Sequence, residues 1–397
     1  MDPLRILRLA QGRVTIDGVY TPGDPLDLLK RELAAHKRAP ISSKLAFTGG
    51  AVGFFGYGMG AVSRHGDADG VPDMVVGFYD IVLGFDHRAR CAWLVQGDRP
   101  ECAEALLERL KRPRGAMALP RLEWQPDLAR NVYEARVERV REYIRAGDIS
   151  QANFTARHTA LRPATLDLPS LYLALRRANP APFAAYLNYG EELTLLSASP
   201  ERFLSLGAEG EIETRPIKGT RPRHADPARD AALADELVHS IKDRAENLMI
   251  VDLLRNDIGR VAEIGSIKVP ELCRVESFAR VHHLVSSIKG RLKPEFGAVD
   301  LLRSAFPGGS ITGAPKIRAM QIIDELEACR RGPYCGAIAW IGFDGAMDSS
   351  IIIRTIVATP GQLAMQAGGG IVADSEAATE YDEMVTKAAP FLEISDG

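Results

Sequence analysis

The chain lacks the features that would place it in a membrane, outside the cell or on a nucleic acid. No apolar run reaches the roughly 18 residues a membrane helix needs. Met1-Asp2-Pro3-Leu4-Arg5 carries an acid early, and no apolar secretory core follows it. Cysteines are few and odd in number: Cys91, Cys102, Cys273, Cys329 and Cys335 are scattered, without a C-x-x-C pair. That pattern excludes a disulfide framework or a zinc cluster, and it reads as reduced, packed thiols of a cytoplasmic protein. Net positive charge is missing too. With 49 Lys and Arg against 52 Asp and Glu, net −3, nucleic acid is not an expected partner. Repeats and low-complexity tracts are absent. The glycine-rich stretch 48–60 lacks the lysine and hydroxyl of a phosphate loop, so it reads as a closely packed strand and turn.

What remains is an ordinary globular composition, 46% hydrophobic and 25% charged over 397 residues, enough for one large domain or two. Helical periodicity marks 101–112, 131–146 (with Asn131 available as a cap), 169–178, 226–258, 299–305, 316–327 and 376–389. Strand patterns mark 74–85, 92–96, 149–161, 183–187, 193–197, 269–292 and much of 335–370. Pro113 to Pro120 is a Pro- and Gly-punctuated linker. Strands and helices mix without a βαβ rhythm, which predicts an α+β fold. The expected division is an N-terminal region, 1–125, and a catalytic region, 126–397, packed as one unit.

Several clusters could carry chemistry. Lys218 stands between Pro216 and Gly219, with Arg215, Arg221 and Arg223 around it. Either it is a lysine aimed into an anion site or this is a basic surface turn. Asp243 and Glu246, and likewise Glu380 and Glu383, are three apart on helices, so each pair shares a face. Brought together, they would suit Mg²⁺; apart, they are solvated helix faces. Arg354 lies in the apolar run 351–356, an expected strand, where its fork wants a carboxylate. Gly368 and Gly369 offer bare backbone N–H groups, and Thr312 precedes a helix start. Lys387 lies one turn beyond Glu383. Glu201 occupies a turn, and only one of His282 and His283, neighbours on a strand, can face a given site.

Four stretches carry a resemblance: Pro216-Ile-Lys-Gly-Thr220, Asp243 to Asp257, Pro307-Gly-Gly-Ser-Ile-Thr-Gly-Ala-Pro-Lys316 and Gln366-Ala-Gly-Gly-Gly-Ile-Val372. In this order they resemble the chorismate-utilising enzymes, a family that includes anthranilate, aminodeoxychorismate, isochorismate and salicylate synthases. The match is strong over 125–397 and weaker in the glycine-rich stretch at 49–60. It implies an anthranilate synthase component I-like layered fold, with two large mainly antiparallel β-sheets face to face and helices outside.

The resemblance also implies roles. Isochorismate- and salicylate-forming members carry a lysine base where this chain has Gln151, and glutamine cannot activate water. Anthranilate-forming members read Pro-Ile-Ala-Gly-Thr where this chain has Lys218. Together these imply amination of chorismate at C4, en route to para-aminobenzoate and folate, with anthranilate synthesis as the rival. Lys218 would be the nucleophile at C2 and Glu201 the general acid. His283 would sit near the ring, leaving His282 to face away. Arg215 and a metal are expected to disfavour protonation of Lys218. Glu246 and Glu383 would be the principal Mg²⁺ ligands, seconded by Asp243 and Glu380. Arg354, Tyr334, Gly368 and Gly369 would hold the pyruvyl arm; Gln151, Gly219, Thr220, Thr312 and Lys387 would add contacts. The chain departs from the family at Gly58-Met59, where an acid often stands, and in lacking the Leu-Leu-Glu-Ser motif of tryptophan-inhibited members. Asn179-Pro-Ala-Pro-Phe183 does resemble the effector loop. No glutaminase elbow is found, so a separate glutamine amidotransferase subunit is the expected partner.

Overall fold

The structure is a computed structural model that describes residues 3–40, 45–60, 70–97, 99–112, 115–278 and 280–394. Pro113 and Arg114, the first two residues of the expected linker, lie outside the described residues.

Two antiparallel sheets dominate. The larger has twelve strands among the described residues. Its functional edge runs Ile217–Pro222, Val281–Arg291, Glu211–Thr214, Arg202–Leu206, Met347–Ile351 and Ala337–Gly342. It then continues through Gly50–Phe55, Met74–Tyr79 and Arg5–Ala10. Strands from the first 125 residues thus extend the same sheet, with Gly50–Phe55 paired to Ala337–Gly342. The glycines at 50–53 serve that pairing: a Cβ on Gly53 would lie 2.1 Å from the Val75 carbonyl oxygen. The smaller sheet runs Phe183–Asn188, Thr194–Ser199, Thr355–Thr359, Gln362–Ile371, Gln151–Leu161 and Gly313–Ala314.

The sheets pack face to face through Phe54, Val75, Ile338 and Ile352 from the larger side and Leu193 and Leu195 from the smaller. Helices cover the outer faces. Pro25–Ala35, Ile241–Gly259 and Ala298–Ala305 pack on the larger sheet, burying Leu28, Ile250, Leu254 and Leu301. Arg130–Arg145, Leu168–Ala178, Lys316–Leu326 and Ala377–Leu392 pack on the smaller, burying Tyr133, Leu171, Ile322 and Met384. This is the expected layered α+β arrangement.

Local details differ where one residue overrides periodicity. The helical run 226–258 is two helices, Pro227–His239 and Ile241–Gly259, because Ser240 leaves helical geometry and caps the second by accepting from the Asp243 N–H at 3.2 Å. The run 269–292 is a hairpin, Lys268–Ser277 and Val281–Arg291. The run 74–85 breaks into Met74–Tyr79 and Val82–Asp86, the second in a separate two-stranded ribbon. Asn131 is not a cap; the helix begins one residue earlier, after Ala129. Arg354 is not inside a strand. It stands with φ +51° in the break between Met347–Ile351 and Thr355–Thr359, where the chain passes from the larger sheet into the smaller.

Candidate active site

A cleft of about 900 Å³ opens where the two sheets part. Its larger-sheet wall is built by Glu201, Lys218, Gly219, Thr220 and His283; its smaller-sheet wall by Asn153, Gln366 and Gly368 to Gly370. The helices Ile241–Gly259 and Ala377–Leu392 close the end, bringing Lys242, Asp243 and Glu246 to face Glu380, Glu383 and Lys387. Tyr334 and Arg354 complete the lining.

Lys218 gains its position from a bulge. It lies opposite Leu284, while Thr220, and not Gly219, lies opposite His283. Gly219 absorbs the extra residue at φ +74°, and a Cβ there would meet Leu237 Cδ1 at 2.7 Å and Asp243 Cγ at 2.8 Å. The shift lets Thr220 Oγ1 meet His283 Nδ1 at 2.9 Å. The Lys218 ammonium reaches the Ser310 carbonyl at 3.3 Å. The three arginines near Lys218 are not free for a ligand. Arg215 is held by Glu276 and Glu271, Arg221 by Glu236 and Asp243, and Arg223 by Asp230. The surrounding basic stretch is therefore paired within the protein.

Burial sets the acid–base character of the wall. Glu201 is 6% exposed, and desolvation raises its pKa despite the Ser310 hydroxyl, Lys218 and the Ile217 N–H, which favour the carboxylate. His283 is pushed down to about 4 by burial, with Arg354 and His282 adding to the effect, so it is neutral near pH 7. His282 turns the other way, held between Ser277 Oγ at 2.8 Å and Asp230 Oδ1 at 3.0 Å.

The helix carboxylates form the other polar cluster. Glu380 is 3% exposed and takes the Ser375 hydroxyl at 2.6 Å and Lys242 at 3.4 Å. Glu383 pairs with Lys387 at 2.6 Å. Desolvation raises its pKa, but Lys387, Lys242 and Lys218 outweigh that and leave it lowered. Lys387 also donates to the Gly368 carbonyl at 2.9 Å. Glu246 has its pKa raised, chiefly by desolvation, and no hydrogen bond or ion pair engages it among the described residues. The absence of side chains at Gly369 and Gly370 makes room: added Cβ atoms would lie 3.2 Å from Glu380 Oε2, 3.8 Å from Glu383 Oε1 and 3.7 Å from Glu246 Oε2. Desolvated carboxylate oxygens, one set unpartnered, are the donors a hard divalent cation takes. The residues fit such an ion, although among the described residues no three carboxylates already converge to ligating distance.

Arg354 is half-buried and its guanidinium meets no hydrogen-bond or ion-pair partner among the described residues, which leaves its fork for an anion. Two expected contacts are not among the lining residues. Gln151, 1% exposed, packs its Nε2 over Gly370, and Thr312, fully buried, spends its hydroxyl on the Gly308 carbonyl at 3.0 Å. Sequence reasoning gave no role to Lys242, which adjoins Asp243, or to Ser310, which lies within the quoted stretch 307–316.

Residues 7–393 match the chorismate binding enzyme family. The chain belongs to that family. Aminodeoxychorismate synthase component 1 of Klebsiella aerogenes is 50% identical over 375 residues, 93% of this chain and 82% of that protein. Its namesake from Escherichia coli K12 is 48% identical over 379 residues, 94% and 83% of the two chains. The crystal structure of anthranilate synthase component I from Streptococcus pneumoniae TIGR4 superimposes with a TM-score of 0.88 at 34% identity, covering 99% of this chain and 91% of that one. In this chorismate binding enzyme, then, the cleft between the sheets is the candidate chorismate site. No helix among the described residues is long and apolar enough to cross a membrane.

Proposed function

We propose that the chain converts chorismate and ammonia to 4-amino-4-deoxychorismate. The observation that carries this reading is Lys218, presented by a bulge into the cleft that Glu201 also lines. The names of the relatives at 50% and 48% identity point the same way.

The chemistry follows from placement. The Lys218 amine, once it has given up its proton, bonds to C2, the two ring double bonds shift, and the C4–O bond breaks. Glu201, whose pKa burial raises, gives its proton to the departing hydroxyl. Ammonia then bonds to C4, the double bonds shift back, and the C2–N bond to Lys218 breaks with return of a proton to the amine. Nitrogen ends at C4 because two displacements succeed each other; a single attack at C2 would give the ortho series. Neutral His283 offers a hydrogen bond beside the ring without adding charge. Arg354, Tyr334 and the Gly368–Gly369 backbone grip the pyruvyl carboxylate.

Glu246 and Glu383, seconded by Glu380 and Asp243, would hold Mg²⁺, which when bound would neutralise and fix the ring carboxylate. With glutamine as the nitrogen source, a glutamine amidotransferase subunit supplies the ammonia, and the setting is cytoplasmic. Incubation with chorismate, Mg²⁺ and ammonium tests the reading. Para-aminobenzoate formed only after an aminodeoxychorismate lyase is added supports it; anthranilate fluorescence without lyase overturns it in favour of ortho amination.

A further inference from the structure

Three of the helix carboxylates at the end of the cleft already have a cation of the protein's own. Asp243 pairs with Arg221 at 3.3 Å, Glu380 with Lys242 at 3.4 Å and Glu383 with Lys387 at 2.6 Å. Glu246 has no such partner among the described residues, although Lys218 and Lys242 both act on its charge. The proposed reaction leaves Lys242 without a role.

Its position is unfavourable on local grounds. Lys242 is the second residue of the helix Ile241–Gly259, where free N–H groups and the helix dipole disfavour positive charge. Four residues on, Glu246 shares its helix face. The side chain reaches across to Glu380 on Ala377–Leu392, and Glu380, Glu246 and Glu383 all draw its charge. Lys242 therefore sets one positive charge between the carboxylates of two helices, which is where a divalent ion would set two.

The two lysines of this cluster are held differently. Lys387 has two anchors, Glu383 at 2.6 Å and the Gly368 carbonyl at 2.9 Å. Lys242 has one long contact, and its side chain is 47% exposed against 3% for that of Glu380. The Ser375 hydroxyl donates to Glu380 at 2.6 Å and holds that carboxylate independently of Lys242. Lys242 can swing into water while Glu380 keeps its place.

We infer that Lys242 is a resident counter-ion of Glu246 and Glu380, and that a divalent cation binds these carboxylates by displacing it. The inference rests on the Mg²⁺ reading of the carboxylates and concerns a residue outside the proposed ligand set. Before a metal is bound, Lys242 offsets the repulsion between the two acidic helices. It also lowers the affinity of the chain for the metal, because its own attraction to the carboxylates must first be given up. Divalent binding then stays weak until chorismate adds carboxylates of its own.

The test reads metal binding without turnover. The intact chain, free of chorismate and at one fixed pH, is titrated with Mn²⁺, whose free ion is followed by electron paramagnetic resonance. Lys242→Met keeps the apolar stem and removes the charge, and it should tighten Mn²⁺ binding by about tenfold, as losing one like charge close to the ion would do. Lys242→Gln is an independent second arm with the same expectation, and thermal melts check the fold of each variant. Lys242→Arg keeps the charge and should stay within about threefold of the unaltered chain. An unchanged Kd in both neutral variants overturns the inference. Weaker binding overturns it too, since Lys242 would then be a brace that the ligands need. Glu246→Gln separates the underlying reading: added to Lys242→Met, it should remove the gained affinity. If none of these chains binds Mn²⁺, or if Glu246→Gln binds it as well as its parent, the metal reading itself has failed, an outcome distinct from Lys242 being a bystander.

Discussion

The two walls of the cleft are built on opposite plans. The larger-sheet wall presents reactive side chains, Lys218, Glu201 and His283, each aimed by a turn, a bulge or a strand partner. On the smaller-sheet wall, at Gly368 to Gly370, side chains are missing, and the bare strand lets the carboxylates of two helices and the ammonium of Lys387 approach. On the proposed reading, one wall supplies chemistry and the other supplies shape. Substitutions on the first should therefore lower kcat, and substitutions on the second should raise KM or lower stability.

Lys218→Ala is the strongest challenge to that division. It should cut formation of 4-amino-4-deoxychorismate by at least about 10⁴-fold while chorismate still binds, read by turnover and by calorimetric titration. Full-rate amination without added amines would remove lysine as the nucleophile. Glu201→Gln should lower kcat by about 10²- to 10⁴-fold. Its pH profile carries the sign: a raised pKa means the acid is protonated below that value, so kcat per free ammonia falls as pH climbs through it. The glutamine variant should lack that decline. Arg354→Gln should cost about 1.5–3 kcal/mol of chorismate binding, as expected for losing hydrogen bonds to a charged group, read as a rise in KM. Arg221→Gln is its control, because Arg221 is already paired with Glu236 and Asp243 at the surface; the expected change is about 0–1 kcal/mol in stability, by denaturant melts.

On the smaller sheet, Gly368→Ala should act without touching the reactive groups. Its Cβ would lie 2.1 Å from the Phe154 carbonyl oxygen, so neighbouring strands must separate. A loss of about 1–3 kcal/mol in stability is expected from such overpacking, with KM raised more than kcat is lowered. An unchanged melt would mean that this wall has more slack than its packing indicates.

Local patterns revealed an α+β fold and the clusters that could carry chemistry, and the resemblance carried by four stretches supplied the two-sheet layering and most of the lining. Carboxylates three apart on a helix share a face wherever the helix packs, and adjacent strand residues diverge, so His283 could be separated from His282. Contacts made across the fold were hidden. Arg215, Arg221 and Arg223 look like an anion site until Glu271 and Glu276 arrive from a distant strand, and Glu236 and Asp230 from the helix that follows, to pair with them. Thr312 and Gln151 belong to familiar motifs yet are almost wholly buried and do not line the cleft, because which groups a cavity exposes is settled only when the sheets and helices meet. Lys242 lies just outside a quoted stretch and Ser310 inside one, but tertiary packing alone brings Lys242 to Glu380 and Ser310 to Glu201 and Lys218.

Glu201 and Arg354 share a peculiarity. Each stands where the chain leaves one sheet for the other, Glu201 between Thr194–Ser199 and Arg202–Leu206, Arg354 between Met347–Ile351 and Thr355–Thr359. The crossings lie side by side, stitched by the Ile351 N–H donating to the Glu201 carbonyl at 3.1 Å and the Ala198 N–H to the Arg354 carbonyl at 3.0 Å. For anyone recombining genes of this family, the stretch between the two crossings is the wrong place to cut. A chimera joined anywhere between Glu201 and Arg354 would take these two residues from different parents, whereas joints before Glu201 or after Arg354 would pass the pair on intact.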